Sequence, residues 1–171
     1  MKKLLLSLTV LSVIGFSSCS DKKTDDPQPK AKSRTELLTS AHWQMIAGTI
    51  VPPITIDIFG QTVTISDIFD FTGAEPCSKD DLQIFNTDGT ITNDEGPTKC
   101  DPSDPQTSSG GTWAFFENDT KLRMIDDGDT TIINVTELST TTLKGNTIME
   151  LEDMNGNPVT HTITFTFSNK K

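Results

Sequence analysis

Val159-Thr160-His161-Thr162-Ile163-Thr164-Phe165-Thr166-Phe167-Ser168 alternates without a break. Val159, His161, Ile163, Phe165 and Phe167 share one parity, and four threonines (Thr160, Thr162, Thr164, Thr166) share the other. In an extended chain a period of two puts one set on each side of a sheet, and β-branched threonine suits the wetter side. The stretch is expected to be a half-buried antiparallel strand, with His161 on its inward face.

The same texture recurs upstream. Asn155-Gly156-Asn157-Pro158 separates this strand from one expected at 142–151, and Asp126-Asp127-Gly128-Asp129 reverses 121–125 into 130–138. Glu117-Asn118-Asp119-Thr120 joins 112–116 to 121–125, and Asn86-Thr87-Asp88-Gly89 joins 82–86 to 90–95, with Gly where a positive φ is needed. Residues 42–50 alternate until Pro52 and Pro53, which lack an N–H for a ladder and are expected to stop the strand. Residues 35–40 fit one or two helical turns that plug the start of the domain, and no long segment carries a helical period. About eight antiparallel strands in sequence order make an all-β, up-and-down meander. Closing it into a β-barrel removes its exposed edges, and a two-sheet sandwich is the alternative.

Residues 51–71 elaborate on this plan. An alternating pair at 54–58 and 61–65 flanks Phe59-Gly60, and Ser66 is placed to cap a short helix. The segment is apolar for a loop. It fits a satellite cluster packed under the barrel end, a lid over the mouth, or a partner-binding patch.

Trp43, Met45, Trp113, Phe115, Leu122, Met124, Leu143, Met149, Phe165 and Phe167 are expected to face inward. A barrel of about eight strands is just wide enough to fill with side chains or to hold one small ligand, and alternation does not choose between these. Trp43, Met45, Trp113, Phe115, Met149, His161 and Phe165 are the candidate pocket residues for a small hydrophobic ligand. The two tryptophans are expected on one wall and Met149 with Phe165 on the other, with His161 as a polar contact. A lone inward histidine serves equally as a hydrogen-bonded core residue.

The other end of the chain carries an address. Lys2 and Lys3 precede an apolar run from Leu4 to Phe16, and Ser17 and Ser18 lead into Cys19. The run is shorter than the roughly 20 residues that span a bilayer. Its layout is that of a bacterial lipoprotein signal cut before Cys19, with Phe16 where Leu is usual. The expected organisation is a signal over 1–18, a lipidated cysteine with a flexible tether over 19–33, and one barrel domain over 34–171. The tether Ser20–Ser33 is charged, contains Pro and has no large apolar residue. Partners follow from charge. The chain stands at −10, and loss of Lys2 and Lys3 takes it to −12. That excludes nucleic acid and a polybasic membrane contact, leaving the N-terminal lipid as the link to a membrane. The protein is expected to be a monomer.

With Cys19 acylated, Cys77 and Cys100 remain. In an oxidising envelope compartment a disulfide is the simplest use of the pair, and without a nearby His they make a poor zinc site. No nucleophile elbow, zincin helix or phosphate-binding loop occurs, so no catalytic set, cofactor or metal is expected and the chain is not read as an enzyme. Asp153–Asn157 and Asp101–Asp104 offer oxygen ligands but lack the spaced Glu of a calcium loop, and Asx and Pro turns explain both. Asp129-Thr130-Thr131 matches a short O-glycosylation acceptor pattern.

Several blocks together resemble the lipocalin-like domain lipoproteins of Bacteroidetes. They are Glu36-Leu37-Leu38-Thr39-Ser40 leading into Trp43, Cys77-Ser78-Lys79-Asp80-Asp81, and Phe85-Asn86-Thr87-Asp88-Gly89-Thr90. Asp94-Glu95-Gly96, Lys99-Cys100-Asp101-Pro102-Ser103-Asp104-Pro105, Gly111-Thr112-Trp113 and Glu137-Leu138-Ser139 continue it over most of residues 35–168. Lipocalins carry Gly-x-Trp on the first strand. Here that position reads Ala41-His42-Trp43, and Gly111-Thr112-Trp113 supplies the pattern later. The tether also resembles the export tags of surface-exposed lipoproteins in that group. The resemblance implies an outer-membrane lipoprotein whose lipocalin-like barrel binds or carries a small hydrophobic molecule. The alternative is a structural or interaction lipoprotein with a filled barrel that meets a protein or glycan partner through its loops.

Overall fold

The computed structural model describes residues 30–171. The expected signal at 1–18, Cys19 and most of the 19–33 tether lie outside the described residues.

Arg34–Thr39 forms a short helix, α1. The Ser33 hydroxyl accepts from the Glu36 N–H while the Glu36 carboxylate accepts from the Ser33 N–H, so two orphan donors of the first turn are satisfied reciprocally. Nine strands follow: β1 Trp43–Ile58, β2 Gln61–Asp67, β3 Leu82–Phe85, β4 Thr90–Asp94, β5 Thr107–Phe116, β6 Lys121–Asp126, β7 Asp129–Leu138, β8 Thr142–Glu152 and β9 Pro158–Asn169. A second helix, α2 (Ile68–Thr72), and a 3-10 helix (Pro76–Asp80) lie between β2 and β3.

Each strand from β3 to β9 pairs antiparallel with the next, and β1 pairs with both β3 and β9, closing a ring of eight. The fold is therefore a closed up-and-down β-barrel, not a sandwich. β2 pairs only with β1, so the β1–β2 hairpin is an addition to the ring. Closure is uneven. β1 follows β9 from Trp43↔Asn169 to Val51↔Thr162 but meets β3 only at Trp43↔Gln83 and Gln44↔Leu82. Beyond Gln44 the two strands part, and the Gln44 side-chain amide donates to the Lys79 carbonyl at 2.7 Å, drawing the 3-10 helix to the gap.

Three local expectations need correction. The strand does not stop at Pro52 and Pro53; β1 runs through them. They lie between Val51, the last β1 residue paired with β9, and Ile54, where the continuous β2 ladder begins, so their missing N–H groups fall at the handover between partners. The cap of α2 is Asp67, whose carboxylate accepts from the Phe69 N–H, whereas Ser66 remains in β2. β5 also starts earlier than expected, at Thr107, and its register against β4 shifts between Thr90 and Thr92. Gly111 sits at that irregularity with φ 84°, and a Cβ there would run into the Ile125 carbonyl, so only glycine fits.

The interior has two apolar clusters. One joins Leu38, Ala41, Trp43, Phe85, Ile91, Leu122, Val135 and Leu143 under α1. The other gathers Ile50, Ile54, Ile68 and Ile163 where α2 and β2 lean on β1 and β9. In β9, His161 and Ile163 are each 4% exposed on either side of exposed Thr162, as the alternation predicts. Phe165 and Phe167 are only partly buried, and the reason is a hollow in the barrel.

Candidate functional site

The α1 end of the barrel is filled. Trp43 is wholly buried, and its indole N–H donates to the Leu38 carbonyl at 2.9 Å, tying the plug to the wall. A void of about 10 Å³ bordered by Phe85, Leu122 and Leu143 has room for no more than a water. Towards the opposite end the barrel opens into a cavity of about 480 Å³. Trp43, Met45, Met124, Ile133, Phe165 and Phe167 form its apolar wall, and Gln83, Asn93, Ser108 and Thr131 add polar atoms. The volume and the mixture, mostly apolar with a few polar groups, match sites for small molecules.

The mouth is built by segments outside the ring. Ser78, Lys79 and Asp81 come from the 3-10 helix and the residue after it, Glu95 from the start of the β4–β5 connection, and Phe69 from α2. A disulfide between Cys77 and Cys100 ties the 3-10 helix to the β4–β5 connection. The connection is braced at its root, where the Asp94 carboxylate accepts from the Gly96 N–H at 2.9 Å and the Gln106 amide at 2.8 Å. Gly96, with φ 65°, packs so close to the Asp80 carbonyl that a Cβ would collide with it. Across the mouth, the Lys79 ammonium lies 5.3 Å from the centroid of the Phe69 ring, a cation–π contact.

Charge at this mouth is unbalanced. Burial, and then repulsion from Glu95, Asp80 and Asp94, push the Asp81 carboxyl up to about 6. Asp80 and Asp81 each hold one carboxylate oxygen buried without a hydrogen-bond partner. Among the described residues the one ion pair is Lys121–Glu117, on a distant turn. A carboxyl whose folded value is raised binds its proton more tightly when folded. Its favourable contribution is complete below the usual carboxylate range and is lost as pH rises through about 6. Asp81→Asn should therefore stabilise the protein at pH 7.5 by on the order of 1 kcal/mol, after allowance for solvent screening. The gain should vanish near pH 4, in melting curves recorded at both values.

Of the candidate pocket residues, Trp43, Met45 and Phe165 line the cavity together. Trp113 and Phe115 do not. The Trp113 N–H pairs with the Gly89 carbonyl at 2.8 Å and its indole donates to the Asn86 carbonyl at 3.0 Å, which places it beside the 86–89 turn at the filled end. There its ring meets Phe85 and Phe115 edge-on, at 5.8 and 5.7 Å. Met149 packs in the second cluster rather than opposite the tryptophans. His161 Nδ1 lies 2.7 Å from the Pro52 carbonyl; only a donor suits that oxygen, so the histidine is a hydrogen-bonded core residue joining β9 to β1.

Alternation identified inward Met124 and Phe167 without marking them as pocket residues, and it missed Ile133 and the polar rim. The rim residues Lys79 and Asp81 sit in a charge-rich turn, and nothing in such a run distinguishes a cavity mouth from a solvated loop. The 51–71 segment divides its roles: Ile54 and Ile68 are satellite core, while Phe69 reaches the cavity. Glu75, Cys77 and Cys100 cluster, but the two sulfurs are bonded to each other and offer no thiolates. The carboxylates of Asp101 and Asp153 are held low by hydrogen bonds from Ser103 and from Asn157 and Asn155, respectively, within their own turns.

No protein-family model and no curated protein matches the chain. Among solved structures, a complex of bovine odorant binding protein with a selenium-containing odorant is similar at 13% identity and a TM-score of 0.39, over 84% of this chain and 77% of that one.

Proposed function

We propose that this barrel binds a small hydrophobic or amphipathic molecule, and that the chain is an outer-membrane lipoprotein of a bacterial envelope held by acyl chains on Cys19. The observation that carries the binding reading is the cavity of about 480 Å³ above a packed floor. Two or more acyl chains would make the anchor firm without any basic patch, consistent with a net charge of −10. The role is that of a carrier or receptor rather than an enzyme. The chain's charge and motifs point to no nucleic-acid partner, and it acts as a monomer.

The tryptophans provide the test, because Trp43 borders the cavity and Trp113 does not. Titration of the purified protein with a fatty alcohol, a sterol and a hydrophobic dye should give a saturable change in indole emission. That change should persist in Trp113→Phe and disappear in Trp43→Phe. No saturable response to any probe would favour the second reading, an interaction lipoprotein. A specific feature supports that rival: Phe59 stands fully exposed at the tip of the β1–β2 hairpin beside exposed Ile58 and Val63.

A further inference from the structure

We propose that the cavity selects a cationic amphipath, a molecule with an apolar body and a protonated amine at the mouth. The inference rests on the barrel being a ligand site and specifies what kind of ligand it takes. The two ends of the cavity differ in chemistry. Trp43, Met45 and Phe165 give the inner wall an apolar surface, while Asp81 and Glu95 line the opening. Asp80 and Asp94 stand close enough to repel the Asp81 charge. Lys79, the one cation in the lining, is directed to the face of Phe69 and forms no ion pair with these acids.

Two further observations are chemical complements of an ammonium group. First, the Asp81 carboxylate, which lines the cavity, has one oxygen without a donor, and a carboxylate can only accept. What is missing is a group that donates. An alkylammonium brings three N–H donors and a positive charge; an alcohol brings one donor and no charge; a carboxylate ligand brings neither and adds a further anion. Second, after burial, repulsion from Glu95, Asp80 and Asp94 helps to hold the Asp81 proton, and any cation that enters relieves that repulsion, so proton and ligand compete for one place. The apolar wall would accept the tail of any of the three. Only the mouth discriminates, and it does so by rejecting anions as well as attracting cations.

Dodecylamine, dodecanol and dodecanoate present the same tail with three heads. Their affinities for the full protein at pH 7.5 and low salt should fall in that order, with the amine at least about tenfold tighter than the carboxylate. In the near-isosteric double variant Asp81→Asn/Glu95→Gln, the amine-to-alcohol affinity ratio should drop by about tenfold. In the unmodified protein the same ratio should shrink with added salt and again at pH 5, as Asp81 takes a proton in a setting shared with Lys79, Asp80, Asp94 and Glu95. Dodecanoate binding as tightly as the amine, or a ratio insensitive to the substitutions, salt and pH, would overturn the inference while leaving a ligand-binding barrel intact. Failure of all three, the alcohol included, would overturn the barrel as a ligand site and the inference with it.

Discussion

Trp43→Ala should cost about 4 kcal/mol, read as a shift in the urea midpoint with little change in slope. The ring is wholly buried, and truncation of a buried Trp ordinarily costs about 3–5 kcal/mol through lost transfer energy and the cavity left behind. Three structural roles meet at this residue. Its indole holds the Leu38 carbonyl and so fixes α1 over the barrel end. Its backbone pairs with Gln83 of β3 and Asn169 of β9, at the narrow seam where the ring closes. The residue also borders the cavity. Trp43→Phe should cost less, about 1–2 kcal/mol, because packing is mostly kept and only the hydrogen bond is lost. A cost below 1 kcal/mol for Trp43→Ala would mean that the α1 end contributes little to holding the barrel shut.

That seam also marks the limit of what was legible in the sequence. Parity along 159–168 identified an inward face, and it holds where His161 and Ile163 are buried on either side of exposed Thr162. The number of strands and their order followed from turn chemistry, since each tight reversal forces its two strands to be neighbours. Depth along the barrel was not legible. Trp43, Met45 and Phe165 share the inward direction with Trp113, Phe115, Met149 and His161, but only the first three reach the hollow. Parity reports which side of the sheet a residue faces. It says nothing about how far along the barrel axis that residue lies, and here one end is packed and the other empty. The prolines show a similar limit. Pro52 and Pro53 read as a stop because a ladder needs N–H groups at every second residue. The stop fails where a strand changes partners, which only the register of both neighbours reveals. The disulfide was expected from the cysteine count, whereas its place at the cavity mouth depends on the path of the 3-10 helix.

Removing that disulfide with Cys77→Ser/Cys100→Ser should lower stability by roughly 3 kcal/mol and weaken ligand binding while leaving the barrel in place. The stability loss arises in the unfolded chain. The cysteines are 23 residues apart, and freeing a loop of that size restores conformational entropy to the denatured ensemble. The folded ladder is spared because Cys77 lies in the 3-10 helix and Cys100 in the β4–β5 connection, neither in a strand. Far-ultraviolet circular dichroism should therefore stay unchanged as the melting temperature falls. Binding should weaken for a different reason. Asp81 follows directly after the 3-10 helix that carries Cys77, and Glu95 begins the connection that carries Cys100, so the two carboxylates of the mouth come from the segments the bond joins. Without it, the contacts around Gln44, Gly96 and Gln106 and the Lys79–Phe69 contact are left to keep those segments in place. The looser mouth should release a dodecylamine-like ligand faster, with little change in how fast it enters, because the apolar wall inside is untouched. Equal melting temperatures for the oxidised and the double-serine proteins would show that the bond does not restrain the unfolded chain. Equal release rates would show that the noncovalent contacts hold the mouth without the bond.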